Sequence, residues 1–270
     1  MATIGIGCQT YSWEMHGAQW TGTPDDILDA MAKAGYAGVE FAASMIGWYY
    51  DRPAAFKDAL AERGLEFAAF AYASPHGFSD PAHFDEEMAA ARRALGFAAE
   101  FPRPLLALGG AASPNRDDYD AKLAHAYRFY SEVARRGADL GVTVAAHPHS
   151  HHGSLLESAE EYGRMLEATA DSGLGFNPDT GHIVRGGQDL ITCLRTHADR
   201  IRHVHVKDAR PTGEWAPLGG GVCDFPGVFD ILRDLGYEGW VVAEEESQLA
   251  WQDPAHAIRV NRAYLRSLGY

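Results

Sequence analysis

Short apolar runs alternate with longer amphipathic stretches along the whole chain. Eight of the short runs read as buried strands, at residues 3–9, 38–41, 66–72, 104–108, 143–147, 174–179, 201–206 and 240–244. Apolar runs of this length fit strands covered on both faces, as in a parallel sheet. The stretches between them carry helix starts and stops. Thr23-Pro24-Asp25-Asp26 supplies a cap, a proline at the first helical position and acids in the first turn. Gly35, in "KAGYAGVEF", is placed to end that helix. Asp80-Pro81 and Asp224-Phe225-Pro226 offer similar starts, with Asp224 as a cap. Regular βα alternation predicts a parallel sheet, and eight units predict a closed (β/α)8 barrel. An open doubly wound sheet competes, but no GxGxxG turn follows the first strand. No linker-like or low-complexity tract interrupts the chain, so residues 1–270 are expected to form a single barrel domain.

A barrel places its chemistry at the C-terminal ends of the strands. The fifth candidate strand ends in His147, with His149 two residues on. The sixth ends in Asp179, with His182 just beyond. The seventh carries His203, His205 and Lys207 at alternate positions, which puts all three on one face. The eighth ends in Glu244, with Glu246 on the same face, and Glu40 lies near the end of the second. Such groups are not at home in a dry barrel without partners. His147, Asp179, His205 and Glu244 come from four successive strands. Two imidazoles and two carboxylates suit one divalent ion, with Mn2+ first and Co2+, Fe2+, Zn2+ or Mg2+ after it. One such histidine alone would more often be a satisfied core residue; ligand types on four successive strand ends are harder to explain that way. "VAAHPHSHHG" holds four of the chain's thirteen histidines. They separate into a ligand candidate, His147, an acid/base candidate, His149, and two expected loop residues, His151 and His152.

Composition narrows the classes. Hydrophobic residues at 46% and charged residues at 22% are ordinary for a chain that buries a full core. The formal charge of -14 repels phosphate backbones, which argues against nucleic acid and against a metal-dependent endonuclease. No apolar stretch approaches a membrane span, and the N-terminus has no signal-peptide pattern. Cys8, Cys193 and Cys223 are scattered and read as reduced thiols, so a cytoplasmic location is expected.

The segments "IGCQTYSW", "GYAGVEF", "NPDTGHIVRGG", "RIRHVHVKD" and "WAPLGGGVCDFPGVFDILRDLGYEGWVVAEEE" resemble the xylose-isomerase-like barrel superfamily of sugar isomerases and epimerases. The likeness runs from the first strand to the eighth. The stretch after the sixth strand is similar to the inosose dehydratases within that superfamily. The resemblance implies that Asp179, His205 and Glu244 match metal ligands of the family. Ketose 3-epimerases carry a glutamate where this chain has His147, and that glutamate is one of their two proton-transferring carboxylates. The dehydratase-like branch shows an HxH turn there, which His147-Pro148-His149 fits. The implied activity is that of a metal-dependent carbon–oxygen lyase acting on a keto-polyol or keto-sugar. A bound divalent ion would stabilise the enolate formed when the α-proton leaves, and an acid would protonate the β-leaving group. Loss of hydroxide is dehydration of a keto-inositol, and loss of an O- or C-linked group from a 3-keto sugar is deglycosylation. The two differ in pocket shape rather than in catalytic parts.

For proton transfer His149 stands first, followed by Lys207, His182 and Glu246. Lys207 has an alternative role as a charge partner of Asp208 or Glu246, and His182 one as a loop residue. Glu40 is expected to bind a hydroxyl or neutralise a cation, and His203, one pleat deeper, to be a core histidine. Gln9, Trp13 and Trp215 are expected to line the substrate site, the indoles offering a face to a sugar or inositol ring. "LGGGV" lacks the Lys-Ser/Thr ending of a phosphate loop and reads as a mobile or tight turn. An isomerase or ketose 3-epimerase on the same metal site is the alternative, and a non-catalytic barrel subunit a further one. The expected partner is a small sugar or inositol derivative, with a homo-oligomer or a partner subunit both open.

Overall fold

The structure, a computed structural model, describes residues 4–150 and 153–270. The chain forms strands β1 (Gly5–Gln9), β2 (Gly38–Ala42), β3 (Glu66–Tyr72), β4 (Leu105–Gly109), β5 (Thr143–His147), β6 (Gly175–Phe176), β7 (Val204–Val206), β8 (Asp208–Ala209), β9 (Trp215–Ala216) and β10 (Trp240–Ala243). Eight of them make one curled parallel sheet in the order β6-β5-β4-β3-β2-β1-β10-β7, while β8 and β9 pair as a small antiparallel hairpin. The sheet's end strands meet through isolated parallel bridges, Phe176 to Ile201 and Asp179 to His205. Those bridges close the expected (β/α)8 barrel.

The helices pack outside the strands, and their starts follow local chemistry. In the helix Pro24–Ala34, the Thr23 side chain accepts the Asp26 N–H, and the Asp26 carboxylate accepts the Thr23 N–H at 2.8 Å. Gly35 ends that helix at φ 84°, where a Cβ would be strained. Asp224 caps the helix Phe225–Asp234 by accepting the Gly227 N–H at 3.0 Å. Strand residues alternate between the helix layer and the barrel interior. In β10, Trp240 and Val242 belong to a different buried cluster from Val241 and Ala243. A Cβ at Gly5 or Gly38 would stand 2.5 Å from the Trp240 ring, so both glycines make room for it. The same parity carries Glu244 into the upper interior.

Two differences from the expected pattern matter for the site. The sixth strand was expected over 174–179 but runs only Gly175–Phe176. Pro178 has no N–H to donate, and Asp179 turns instead to cap the helix Thr180–Arg185. The β8–β9 hairpin was not anticipated. His151 and His152 lie outside the described residues. Among the described residues, no helix is long and apolar enough to cross a membrane.

Candidate active site

A cavity of about 510 Å3 opens at the C-terminal mouth of the barrel. On the β2–β4 side it is lined by small residues, among them Ala42, Ala71, Ala73, Ala107 and Gly109, which leave the space. His147, His149, His182, His205, Glu244 and Glu246 line it from the other half. Asp179 and Lys207, both fully buried, pack among these groups.

Three of the four candidate ligands, His147, Asp179 and Glu244, converge together with His182, and His205 joins them through Glu244. His147 Nε2 lies 3.6 Å from Glu244 Oε2, and His205 Nδ1 lies 2.9 Å from the same oxygen. His147, Asp179, His182 and Glu244 offer ligand atoms all within 4.8 Å of one another. His147 Nε2 and Asp179 Oδ2 are buried and make no hydrogen bond, while His205 Nδ1 has only the Glu244 carboxylate. Orphaned buried polar atoms are costly and need a reason. Here they surround one carboxylate, which fits the donor set of a divalent cation.

The far sides of these ligands are engaged. Asp179 Oδ1 accepts the His182 N–H at 2.7 Å, so its other oxygen alone stays bare. His147 Nδ1 faces the Asn177 carbonyl at 3.4 Å, and His205 Nε2 meets Glu40 Oε2 at 2.9 Å. Outer partners of this kind fix the orientation of metal-binding histidines. His182 differs. Its Nδ1 accepts the Ser150 N–H at 2.9 Å, and its Nε2 lies 3.0 Å from Lys207 Nζ.

Charge follows burial and partners. Burial pushes His147 down to about 3, so it is neutral and able to ligate. Burial pushes Asp179 up to about 6. At His205 burial opposes the charge, but Glu40 and Glu244 outweigh it and raise the imidazole to about 10. At Lys207 burial is again outweighed, here by Glu244 and Glu246, and the ammonium stays protonated. Lys207 Nζ lies 2.6 Å from Glu244 Oε1 and also bonds Glu246. Burial acts against both carboxylates. Lys207 and His205 overcome it at Glu244, which is held well below the usual carboxylate range, whereas Glu246 is pushed up to about 7. One cation thus leaves two neighbouring carboxylates with different proton affinities.

Several expected residues take different places. Glu40 lines the cavity and is fully buried, with Oε2 shared between His203 at 2.6 Å and His205 at 2.9 Å, so it offsets the charge of His205, one of its two expected roles. Gln9 lines the cavity and accepts the Tyr11 N–H. Trp13 does not line it; the ring is buried in the core, edge-on to Trp20 at 6.4 Å. The one-turn helix Tyr11–Glu14 instead presents Tyr11 and Glu14 to the cavity. Their i, i+3 spacing after the first strand was the available signal. Arg185 also lines the cavity and stacks 4.7 Å from the Trp215 ring centre.

Trp215, expected to line the site, does not line the cavity either; it packs behind it, 4.6 Å from Lys207 Nζ and edge-on to His182 at 5.0 Å. The β8–β9 hairpin carries it. Asp208 does not pair with Lys207 but holds the glycine-rich loop. Its carboxylate accepts N–H groups from Ala209, Gly219, Gly221 and Cys223 at 2.8–3.1 Å. A Cβ at Gly221 would stand 2.2 Å from Asp208 Oδ1, so "LGGGV" is a turn wrapped tightly around a carboxylate.

A closed parallel barrel with histidines and carboxylates gathered at its strand ends defines a class of strand-end barrel enzymes. The sequence profile of the xylose isomerase-like TIM barrel family matches residues 28–268, and the chain belongs to that family. It is 29% identical over 275 residues to the inosose dehydratase of Geobacillus thermodenitrificans, covering 90% of this chain and 89% of the relative. It is 30% identical over 276 residues to the inosose dehydratase of Erwinia tasmaniensis, covering 89% and 88%. The solved structure of IolI protein with a binding zinc atom superposes with a TM-score of 0.81, at 14% identity and 96% coverage of each chain. At that identity the likeness is one of fold.

Proposed function

We propose that this chain is a divalent-metal-dependent carbon–oxygen lyase that eliminates a β-substituent from a keto-polyol or keto-sugar, in the manner of an inosose dehydratase. The observation that carries the reading is the pair of orphaned buried atoms, His147 Nε2 and Asp179 Oδ2, gathered beside Glu244. His147, Asp179, His205 and Glu244 would hold the ion, with Mn2+ first among the candidates. The ion supplies Lewis acidity for a ketone oxygen, which eases loss of the neighbouring proton.

The chain's own residues supply the rest. Glu246, held near 7, is suited to take the α-proton at neutral pH. His149 lines the cavity, its ring centre 4.6 Å from that of His147, and is placed to protonate the departing group. Lys207 keeps Glu244 ionised and brings positive charge to the developing oxyanion. His182, Gln9 and Tyr11 orient the ring, and Trp215 backs His182. Imidazole at 147 favours elimination over epimerisation, because a two-base epimerase needs an acid/base on each face of the carbon. The names of the two curated relatives support the same choice.

The test is turnover of 2-keto-myo-inositol by the manganese-loaded protein. Dehydration gives a conjugated, ultraviolet-absorbing product, and epimerisation gives none. The His149→Ala variant is expected to keep its metal and lose turnover. A chain that takes up no stoichiometric metal, or a fully active His149→Ala variant, defeats the assignment.

A further inference from the structure

A second cluster of metal-binding side chains lies outside the barrel mouth, where the loop after β3 meets the helix Phe84–Ala98. His76, His83 and Glu86 offer ligand atoms all within 4.8 Å of one another. None of the three lines the active-site cavity. His76 instead stands on the wall of an open groove of about 780 Å3 beside that cavity, with Ala112 lining both.

Local structure brings the three together. His83 and Glu86 are spaced i, i+3 at the start of the helix, which makes them neighbours on one face. Glu86 Oε2 lies 3.5 Å from His83 Nδ1. Zinc bonds of about 2.0–2.1 Å at a tetrahedral angle set adjacent ligand atoms about 3.3–3.4 Å apart, so this pair already stands near the required spacing. Across the ring, Asp80 Oδ2 lies 4.0 Å from His83 Nε2. Its other oxygen accepts the Ala82 N–H at 2.9 Å, which holds the carboxylate in place. A carboxylate at the far nitrogen is the usual outer support of a metal-binding imidazole.

His76 arrives from the loop. Gly77 and Phe78 follow it in the left-handed region, at φ 67° and 58°. Phe78 is fully buried, and its N–H donates to the Glu87 carboxylate at 2.9 Å, which ties the loop to the same helix. That backbone is costly for a non-glycine residue and persists only where the surroundings enforce it. The His76 ring comes to lie flat on His83, with centres 3.5 Å apart and planes 2° from parallel. Imidazole lone pairs lie in the ring plane, so a shared ion requires one ring to turn. His76 is half-buried and faces the groove, which leaves it room. Among the described residues, neither imidazole makes a side-chain hydrogen bond that the turn would break.

We infer that His76, His83 and Glu86 form a second metal site, which takes Zn2+ with water in the open position. Two imidazoles and one carboxylate suit Zn2+ or Co2+, and Mn2+, lowest in the affinity order, leaves such a site unfilled. The ion pins the loop after β3 to the helix. That loop carries Ser74 into the active-site cavity, so the ion stiffens one wall of the cavity without entering its chemistry. The inference stands apart from the lyase reading.

The test titrates the metal-free chain with Zn2+ against a chromophoric chelator. About two ions per chain are expected, one at each site. His76→Ala, His83→Ala and Glu86→Ala are each expected to lose one of them and to keep Mn2+ uptake at the barrel mouth. Asp179→Ala is expected to lose the other and to keep this one. Glu86 is exposed and its side chain caps nothing, so Glu86→Ala keeps the fold intact while removing a ligand. With Co2+ added to Asp179→Ala, the visible absorption of a four-coordinate ion is expected, and adding His83→Ala removes it. Zn2+ uptake unchanged in both His76→Ala and His83→Ala overturns the second site and marks any extra ion as adventitious. An Asp179→Ala chain that still takes up as much Zn2+ as its parent defeats the active-site ligand set and leaves the second site standing.

Discussion

Asp179 and His205 pair through their backbones in an isolated parallel bridge, at the seam where β6 and β7 close the barrel. The His205 N–H donates to Pro178 O at 2.9 Å beside it. Two of the candidate ligands therefore belong to the segments that complete the ring. A cation held by both side chains would tie the barrel's shortest strand to its neighbour. Adding Mn2+ is expected to raise the melting temperature, by the equivalent of about 2.7 kcal/mol at a hundredfold excess over Kd. Asp179→Ala is expected to remove both the bound metal and that rise, checked by elemental analysis and calorimetry.

His205 carries a proton between Glu40 and Glu244, with its pKa raised to about 10. A ligand nitrogen must be bare, so cation uptake displaces that proton. The sign follows: affinity rises with pH below about 10, and burial of Asp179, at about 6, steepens the loss on the acid side. Calorimetric titration in buffers of different ionisation enthalpy should report about one proton released per ion near pH 7–8. Uptake with no proton release would remove His205 from the ligand set.

Glu40 orients His205 without lying among the four proposed ligands. Glu40→Gln is expected to retain about one ion per chain but to weaken its affinity about 10–100-fold, read by chelator competition.

Lys207 neutralises two buried carboxylates. Lys207→Met leaves Glu246 without its counter-ion and Glu244 with His205 alone, and is expected to destabilise the metal-free chain by about 3–5 kcal/mol in urea unfolding. The loss should be smaller in the metal-loaded chain, where Glu244 has a cation.

Away from the site, the Glu161 carboxylate accepts N–H groups from Glu157 at 2.7 Å and Ser158 at 2.8 Å, and also pairs with Arg116 at 2.8 Å. Burial opposes the charge, but Tyr119 and these donors outweigh it and lower the carboxyl from 4.5 to about 2. A pKa depressed in the folded state stabilises fully above the unfolded value. Glu161→Gln should therefore cost about 0.5–2 kcal/mol at pH 7, the usual range for a lost cap. The difference from the parent should shrink as pH falls from 4.5 towards about 2, measured by denaturation at a series of pH values.

Features set by neighbours along the chain are legible without the fold. Apolar runs and capping residues such as Thr23 and Asp224 marked the elements, because helix starts and strand faces are local properties. Strand parity alone put His203, His205 and Lys207 on one face. The same locality explains the failures. Trp13 and Tyr11 share one helical turn, and only packing chose which faced the core. Glu40 meets His203 and His205 across 163 and 165 residues, a contact no local pattern contains. Asp208 is the centre of a glycine loop, and the sixth strand ends at Phe176, short of Pro178, for reasons set by how the ring closes. Closing the barrel decides which inward side chains meet, so the anchoring of the ligands, the splitting of Glu244 from Glu246 and the groove beside the cavity belong to the tertiary structure.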